Sequence, residues 1–178
     1  MNKSTPQIIA QLAVLEDVKA IAEITQAYEP KNIEDYVKAY QSEVYENLRA
    51  DALTKIFVVK NDDQIIGHGK LFYYDSDRLK VTYKSPSGWY FNGVIMSEEF
   101  RKLGAARALA KIREKYIREN SKNGIVYSIV SADNHASINY HTSLNFTECD
   151  RAKGFLNIGL KCGEGILFSK QLKRDCPE

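Results

Sequence analysis

Apolar positions along the chain recur with two different periods, and the switches between them divide it into strands and helices. Gln7 to Ala13 (QIIAQLA) predicts a first strand. Asp17 then stands as an N-cap for a helix carrying Val18, Ile21, Ala22 and Ile24 on its inner face. Glu29-Pro30 ends that helix, and Asn32 caps a second one, in which Ile33, Tyr36, Val37, Tyr40, Val44 and Leu48 return at three- and four-residue spacing. Ile56-Phe57-Val58-Val59, the polar turn Asn61-Asp62-Asp63 and the run Gln64 to Tyr73 predict an antiparallel hairpin. Residues 75–88 hold Asp75-Ser76-Asp77 and Ser85-Pro86-Ser87-Gly88, a longer excursion in which Leu79 to Tyr83 is a candidate extra strand.

Trp89 to Met96 (WYFNGVIM) is a near-continuous apolar run, the pattern of a central strand covered on both faces. After the acidic loop Ser97-Glu98-Glu99, a helix is expected from about Gly104 to Asn120, with Ala106, Leu109, Ile112, Tyr116 and Ile117 on one face. Ile125 to Val130 predicts another buried strand and Asn134 to Ser143 a short helix. Two closing strands are expected near Thr147 to Leu156 and Gly165 to Leu172. This order describes a mixed sheet with helices on its faces. At 178 residues, with no Gly/Ser- or Pro-rich linker, residues 1–178 are expected to form one domain.

Composition changes this picture little: 44% hydrophobic and 27% charged residues suit a globular chain with a real core. No apolar run approaches a membrane span, and the opening Met-Asn-Lys-Ser-Thr-Pro lacks a signal-peptide stretch, so a cytoplasmic protein with no membrane partner is expected. Cys149, Cys162 and Cys176 lack metal-ligand spacing and read as buried reduced thiols. No metal is expected. A net charge of +2 is too small to argue for nucleic acid. Arg101, Lys102, Arg107, Lys111, Arg113, Lys115, Arg118 and Lys122 nevertheless crowd one segment. Those beyond position 110 read as a solvated helix face, without the interleaved aromatics of a nucleic-acid surface.

Charge and small side chains coincide at "RKLGAARAL", residues 101 to 109. A helix start exposes unpaired backbone N–H groups and about half a positive charge. Gly104, Ala105 and Ala106 open such a helix directly after a strand and loop, with Arg101, Lys102 and Arg107 around them, so the spot reads as a phosphate cradle. There is no GxxxxGK[ST] and no GxGxxG, which argues against nucleoside-triphosphate hydrolysis and a dinucleotide fold.

"GWYFNGVIMSEEFRKLGAARALA" resembles the central motif of the GCN5-related N-acetyltransferase superfamily: a strand, a loop, then Arg/Gln-x-x-Gly-x-Gly/Ala, here Arg101-Lys102-Leu103-Gly104-Ala105-Ala106. Glu98 replaces a proline often found in the loop. "NHASINYHTSLNF", Asn134 to Phe146, is similar to the family's Asn-x-x-(Ala/Ser)-x-x-x-Tyr-x-x-x-Gly-Phe segment. Asn145 stands at the usual glycine, and His141, preceded by Tyr140, stands at the usual tyrosine. The resemblance covers about Gly88 to Phe146 and implies an α/β (α+β) fold: a mixed, mostly antiparallel sheet of six to seven strands with about four helices on its faces.

It also implies acetyl-coenzyme A as co-substrate. Its pyrophosphate would lie on the amides of Arg101, Lys102, Leu103, Gly104, Ala105, Ala106 and Arg107, and its pantetheine arm along Ile95 and Met96. The Met96 N–H would also face the oxyanion formed when an amine attacks the thioester. Asn134 and Ser137 would contact the cofactor, and Asn134 reads equally as a plain N-cap. His141, with Tyr140 beside it, is the candidate general acid for the departing thiolate, or else a packing residue. The family's upstream glutamate is absent; Tyr90 holds that position, on the face of Asn92, Val94 and Met96 by two-residue alternation, either as a proton relay or as a core tyrosine. His68 is a further candidate base. Tyr28, Tyr36, Tyr40 and Tyr45, with Glu98, Glu99, Asp75 and Asp77, are candidates for walls that attract a cationic acceptor. The reading is an N-acetyltransferase acting on the primary amine of a small molecule. A protein or peptide acetyltransferase and a non-catalytic acyl-coenzyme A sensor are the alternatives, and a homodimer is left open.

Overall fold

Residues 7–160 and 163–173 are described by a computed structural model, so Cys162 and Cys176 lie outside the described residues. In chain order the strands are β1 Ile8–Leu12, β2 Thr54–Asn61, β3 Gln64–Tyr74, β4 Gly88–Met96, β5 Ile125–Ser131, β6 Thr147–Ala152, β7 Gly154–Phe155, β8 Ile158–Gly159 and β9 Gly165–Gln171. The helices are α1 Val18–Tyr28, α2 Ile33–Glu46, α3 Ala105–Asn120 and α4 His135–Ser143. Seven strands form one sheet in the order β1-β2-β3-β4-β5-β9-β6, while β7 and β8 pair separately. Pairing is antiparallel in β1–β2, β5–β9 and β6–β9 and parallel in β4–β5. No described helix is long and apolar enough to cross a membrane. The described chain divides into two compact units, one from the stretches ending at Leu71 and running Gly93–Arg113, the other from Phe72–Asn92 and the stretch that begins at Glu114.

In the first unit, β2 supplies apolar side chains to two faces in turn. Ile56 and Val58 pack with Val18, Ile21 and Ala22 of α1 and Tyr40 and Val44 of α2, whereas Val59 packs with Ile66 of β3 and Ala105 of α3. Asn32 caps α2 as expected, its Oδ1 accepting from the Glu34 N–H at 3.0 Å. Asp17 does not cap α1. A 3-10 turn, Leu15–Asp17, precedes the helix, and Asp17 reaches back to the Val14 N–H at 3.0 Å while ion-pairing with Lys60 at 3.1 Å. Leu48 lies beyond α2 and is 71% exposed, so the helical period was extended one turn too far. Asn47, just past α2, is buried: its Nδ2 donates to the Ala13 and Ile56 carbonyls and its Oδ1 accepts from the Ile56 N–H.

In the second unit, Tyr74, Tyr90, Phe155, Leu156 and Leu167 form a cluster. The expected strand at Leu79 to Tyr83 is absent; one isolated bridge, Tyr83 to Leu156, holds the excursion. β4 is buried only from Gly88 to Phe91, with Asn92 and Gly93 exposed, so its covering on both faces is confined to its first half. α3 is rotated relative to expectation. Ala105, Leu109, Ala110, Arg113, Glu114 and Ile117 are buried, and Arg113, expected on a solvated face, is fully enclosed with Nη1 donating to the Lys70 carbonyl at 3.2 Å. Glu114, 8% exposed, meets the Lys170 ammonium at 2.6 Å. Cys149 is exposed rather than buried, its thiol donating to the Leu167 carbonyl at 3.2 Å.

Candidate active site

The chain leaving β4 turns through a 3-10 segment, Glu98–Phe100, before α3 begins. Lys102 and Gly104 both adopt left-handed backbone, at φ 67° and 83°. Alternation of that kind points successive N–H groups into one concavity, a backbone nest for anions. The N–H groups of Lys102, Leu103, Gly104 and Ala105 have no backbone partner among the described residues, and α3 makes its first bond from the Ala108 N–H to the Gly104 carbonyl at 3.0 Å. Arg101, Lys102, Leu103, Gly104 and Arg107 are exposed around the nest. A diphosphate therefore fits these residues: orphan donors coincide with a helix start, and three cationic residues adjoin it in sequence.

The small residues here serve two different ends. A Cβ on Gly104 would meet nothing within 4 Å, so the position needs glycine for its φ, not for space. Ala105 is 3% exposed and packs on Val59 and Ile66, so its size answers to the core. Ala106 is half-buried beside it.

Upstream, Gly93 has φ 57°, which breaks the strand's two-residue alternation as a bulge does. Tyr90 therefore does not share a face with Val94 and Met96. It is fully buried, donates its hydroxyl to the Pro86 carbonyl at 2.7 Å, and lies between Phe72 and Tyr127 rings at 5.1 and 5.2 Å. Burial pushes its phenol well above the usual range. The geometry makes Tyr90 a core tyrosine and removes it as a proton relay. Ile95 and Met96 are half-buried, and the Met96 side chain lies across β3 where a side chain on Gly67 would otherwise stand.

The second sequence motif lies in the second unit. Asn134 is an N-cap, its Oδ1 accepting from the Ser137 N–H at 3.0 Å, and it remains exposed. His141 is 6% exposed, parallel to the Phe168 ring at 5.8 Å and edge-on to Phe146 at 5.3 Å and Tyr140 at 5.2 Å. Its Nδ1 lies 2.8 Å from the Ser137 carbonyl, which can only accept, so Nδ1 carries a proton. In the neutral ring Nε2 is then an acceptor, and it can donate only as the imidazolium. Asn145 takes φ 63°, a left-handed conformation that asparagine tolerates better than most residues.

The other candidates separate. His68 is 2% exposed: Thr25 donates to the Ile21 carbonyl at 2.8 Å, which leaves its oxygen to accept from His68 Nε2 at 2.9 Å and the Tyr40 hydroxyl at 3.0 Å. Burial, aided by the Lys70 charge, pushes the His68 pKa down to about 3. It is too weak a base to deprotonate an ammonium. Thr25, which positions it, carries no sequence signal; only its burial in the structure brings it out. Tyr40 is in the core, Tyr36 donates to the Glu29 carbonyl at 2.9 Å, and Tyr45 is 58% exposed, so the four tyrosines form no cage. Asp75 is used locally, accepting from the Asp77 N–H and pairing with Arg78. Tyr28, Glu98 and Glu99 do converge, with Ile24, Ala27, Met96, Ser97 and Arg101, on a cavity of about 540 Å³ in the first unit. Ile24, expected on the inner face of α1, is half-buried and lines this wall together with the exposed Ala27, which carries no sequence signal.

The model of the acetyltransferase (GNAT) family matches residues 18–146, and the chain belongs to that family. It is thus an N-acetyltransferase domain of a family that uses acetyl-CoA. Among solved structures, the Salmonella typhimurium acetyltransferase that modifies the N-terminal serine of ribosomal protein L7/L12 is similar at TM-score 0.71 and 14% identity, over 96% of this chain and 97% of that one. Salmonella typhimurium yncA, solved with acetyl-CoA, has TM-score 0.65 and 17% identity over 96% and 98%. Arabidopsis thaliana NAA60, solved with a bisubstrate analogue, has TM-score 0.63 and 16% identity over 95% and 100%. No curated protein sequence matches the chain significantly.

Proposed function

We propose that this protein transfers the acetyl group of acetyl-CoA to the primary amine of a small molecule by direct attack on the thioester, as a single domain. The observation that carries the reading is the nest at residues 102–105, whose unpartnered N–H groups suit a diphosphate. Acetyl-CoA supplies the activated acetyl thioester. Lys102, Leu103, Gly104 and Ala105 hold the diphosphate by main-chain donors, Ala106 and Arg107 extend that helix start, and Arg101, Lys102 and Arg107 add charge. Ile95 and Met96 offer main-chain groups to the pantetheine arm. The Met96 N–H is the donor aimed at the oxyanion. The Asn134 amide group and Ser137 add cofactor contacts from the start of α4.

His141 protonates the departing thiolate as the imidazolium, with Nδ1–H anchored on Ser137 and Tyr140 fixing the ring edge. Among the described residues the buried carboxylates Asp17 and Glu114 are held in ion pairs with Lys60 and Lys170, which fits an acceptor that gives its proton to solvent before attack.

The experiment is free-thiol release from acetyl-CoA across a panel of primary amines, on wild type and His141→Ala. Amine-dependent release in the wild type, slowed about 10²-fold or more in the variant with unchanged acetyl-CoA affinity, is expected. Full turnover in His141→Ala would remove the residue from the mechanism. Cofactor binding without release on any amine would make the protein a sensor.

A further inference from the structure

The cavity beside Met96 has two unlike walls. Ile24, Ala27 and Tyr28 recur at helical spacing along one flank of α1, beside its buried Ile21, Ala22 and Thr25. Opposite them stand Met96, Ser97, Glu98, Glu99 and Arg101, the chain leaving β4. Ile24, Ala27 and the Met96 thioether make an apolar strip, and Met96 is free to lie there because Gly67 beneath it has no side chain. At about 540 Å³ the space is of small-ligand size.

Its rim is acidic. Two carboxylates face one guanidinium, and Arg101 is already engaged with Glu98 at 3.4 Å. Glu99 makes no ion pair among the described residues. Tyr28, 69% exposed, lines the same cavity, and an aromatic ring is a partner for a cation. A ligand matching this lining has an alkyl stretch of several methylenes and a positive end.

We propose that this cavity selects the acceptor: a linear diamine, with its methylenes on Ile24, Ala27 and Met96 and its non-reacting ammonium held by Glu99 and Tyr28. This rests on the acetyltransferase reading, because the reacting amine is the one left at the Met96 end. There the new N–C bond forms, the C–S bond breaks, and the amine proton leaves to solvent while the thiolate is reprotonated. The second ammonium takes no part in bond making; it sets which amines bind.

The test compares 1,6-diaminohexane with n-hexylamine, equal in length and differing by one charge, in wild type, Glu98→Gln/Glu99→Gln and Tyr28→Ala. Counted per primary amine, because the diamine offers two, wild type should favour the diamine in kcat/KM by about two- to fivefold at low salt, the scale of an exposed charge contact. The preference should fall to unity in the double variant and in high salt, and Tyr28→Ala should raise the diamine KM by about two- to fivefold. Calorimetric titration of the diamine into wild type and the double variant reads the cavity without turnover, and weaker binding in the variant is expected. Equal preference for the two amines, or identical diamine binding in both proteins, overturns the proposal. If the diamine binds as expected and no amine releases thiol, the cavity stands and the transferase reading falls.

Discussion

His68 shows how one residue's surroundings decide its chemistry. Its Nε2–H is committed to Thr25, and burial keeps the ring neutral at every ordinary pH. The unfolded chain binds a proton at this histidine below about pH 6.5, whereas the folded chain resists until about pH 3. Stability from this group is therefore complete above about 6.5 and lost as the pH falls toward 3, at up to about 1.4 kcal/mol per pH unit. Urea unfolding from pH 7 to 4 should show a flatter acid limb in His68→Gln than in wild type. Equal slopes would mean the ring is already charged in the fold. Gly104 is decided differently, by φ alone, and Gly104→Ala should cost about 1–2 kcal/mol although nothing stands in the way of the methyl group.

Among elements, the ends of the helices carry the information that periodicity lacks. Asn47 closes α2 against the ends of β1 and β2 through three hydrogen bonds, all buried. Asn47→Ala should cost about 3 kcal/mol in urea unfolding, since each orphaned buried partner is desolvated without return. A loss below about 1 kcal/mol would show that water replaces the side chain. At α4, Asn134→Ala should cost about 1 kcal/mol and Asn134→Ser little, because serine keeps the cap. If Asn134→Ser nonetheless weakens acetyl-CoA binding, the exposed amide group is a cofactor contact as well as a cap.

The same scale explains what was legible in the sequence. Strands β1 to β5 and β9 and all four helices follow from local periods and from Asn32 and Asn134, which stand where caps are read. The rotation of α3 differs from its local pattern because that pattern assigns charged residues to solvent, whereas Arg113 and Glu114 are buried through partners on other elements, the Lys70 carbonyl and the Lys170 ammonium. Alternation places Tyr90 on the face of Val94 and Met96, but Gly93 interrupts it with a positive φ that is invisible in a run of apolar letters. The nest was legible because its glycine, its flanking charges and its place after a strand are all local. The acceptor cavity was only half legible: Tyr28, Glu98 and Glu99 stand out by type, but α1 and the end of β4 are about 70 residues apart in sequence.

For the molecule as a whole, the account depends on a backbone nest that binds a diphosphate, within a family that uses acetyl-CoA. Such a ligand must stabilise the fold by mass action, about 2.7 kcal/mol at a hundredfold excess over Kd. In a chain of this size that is a rise of about 5–10 °C in Tm. The most direct measurement is the acetyl-CoA-dependent Tm shift of wild type beside Gly104→Glu, which puts an anion and an unsuited φ into the nest while leaving the core untouched. We predict the full rise in wild type and almost none in the variant, with free coenzyme A behaving alike. An equal rise in both proteins would show that the diphosphate binds elsewhere and would contradict the account.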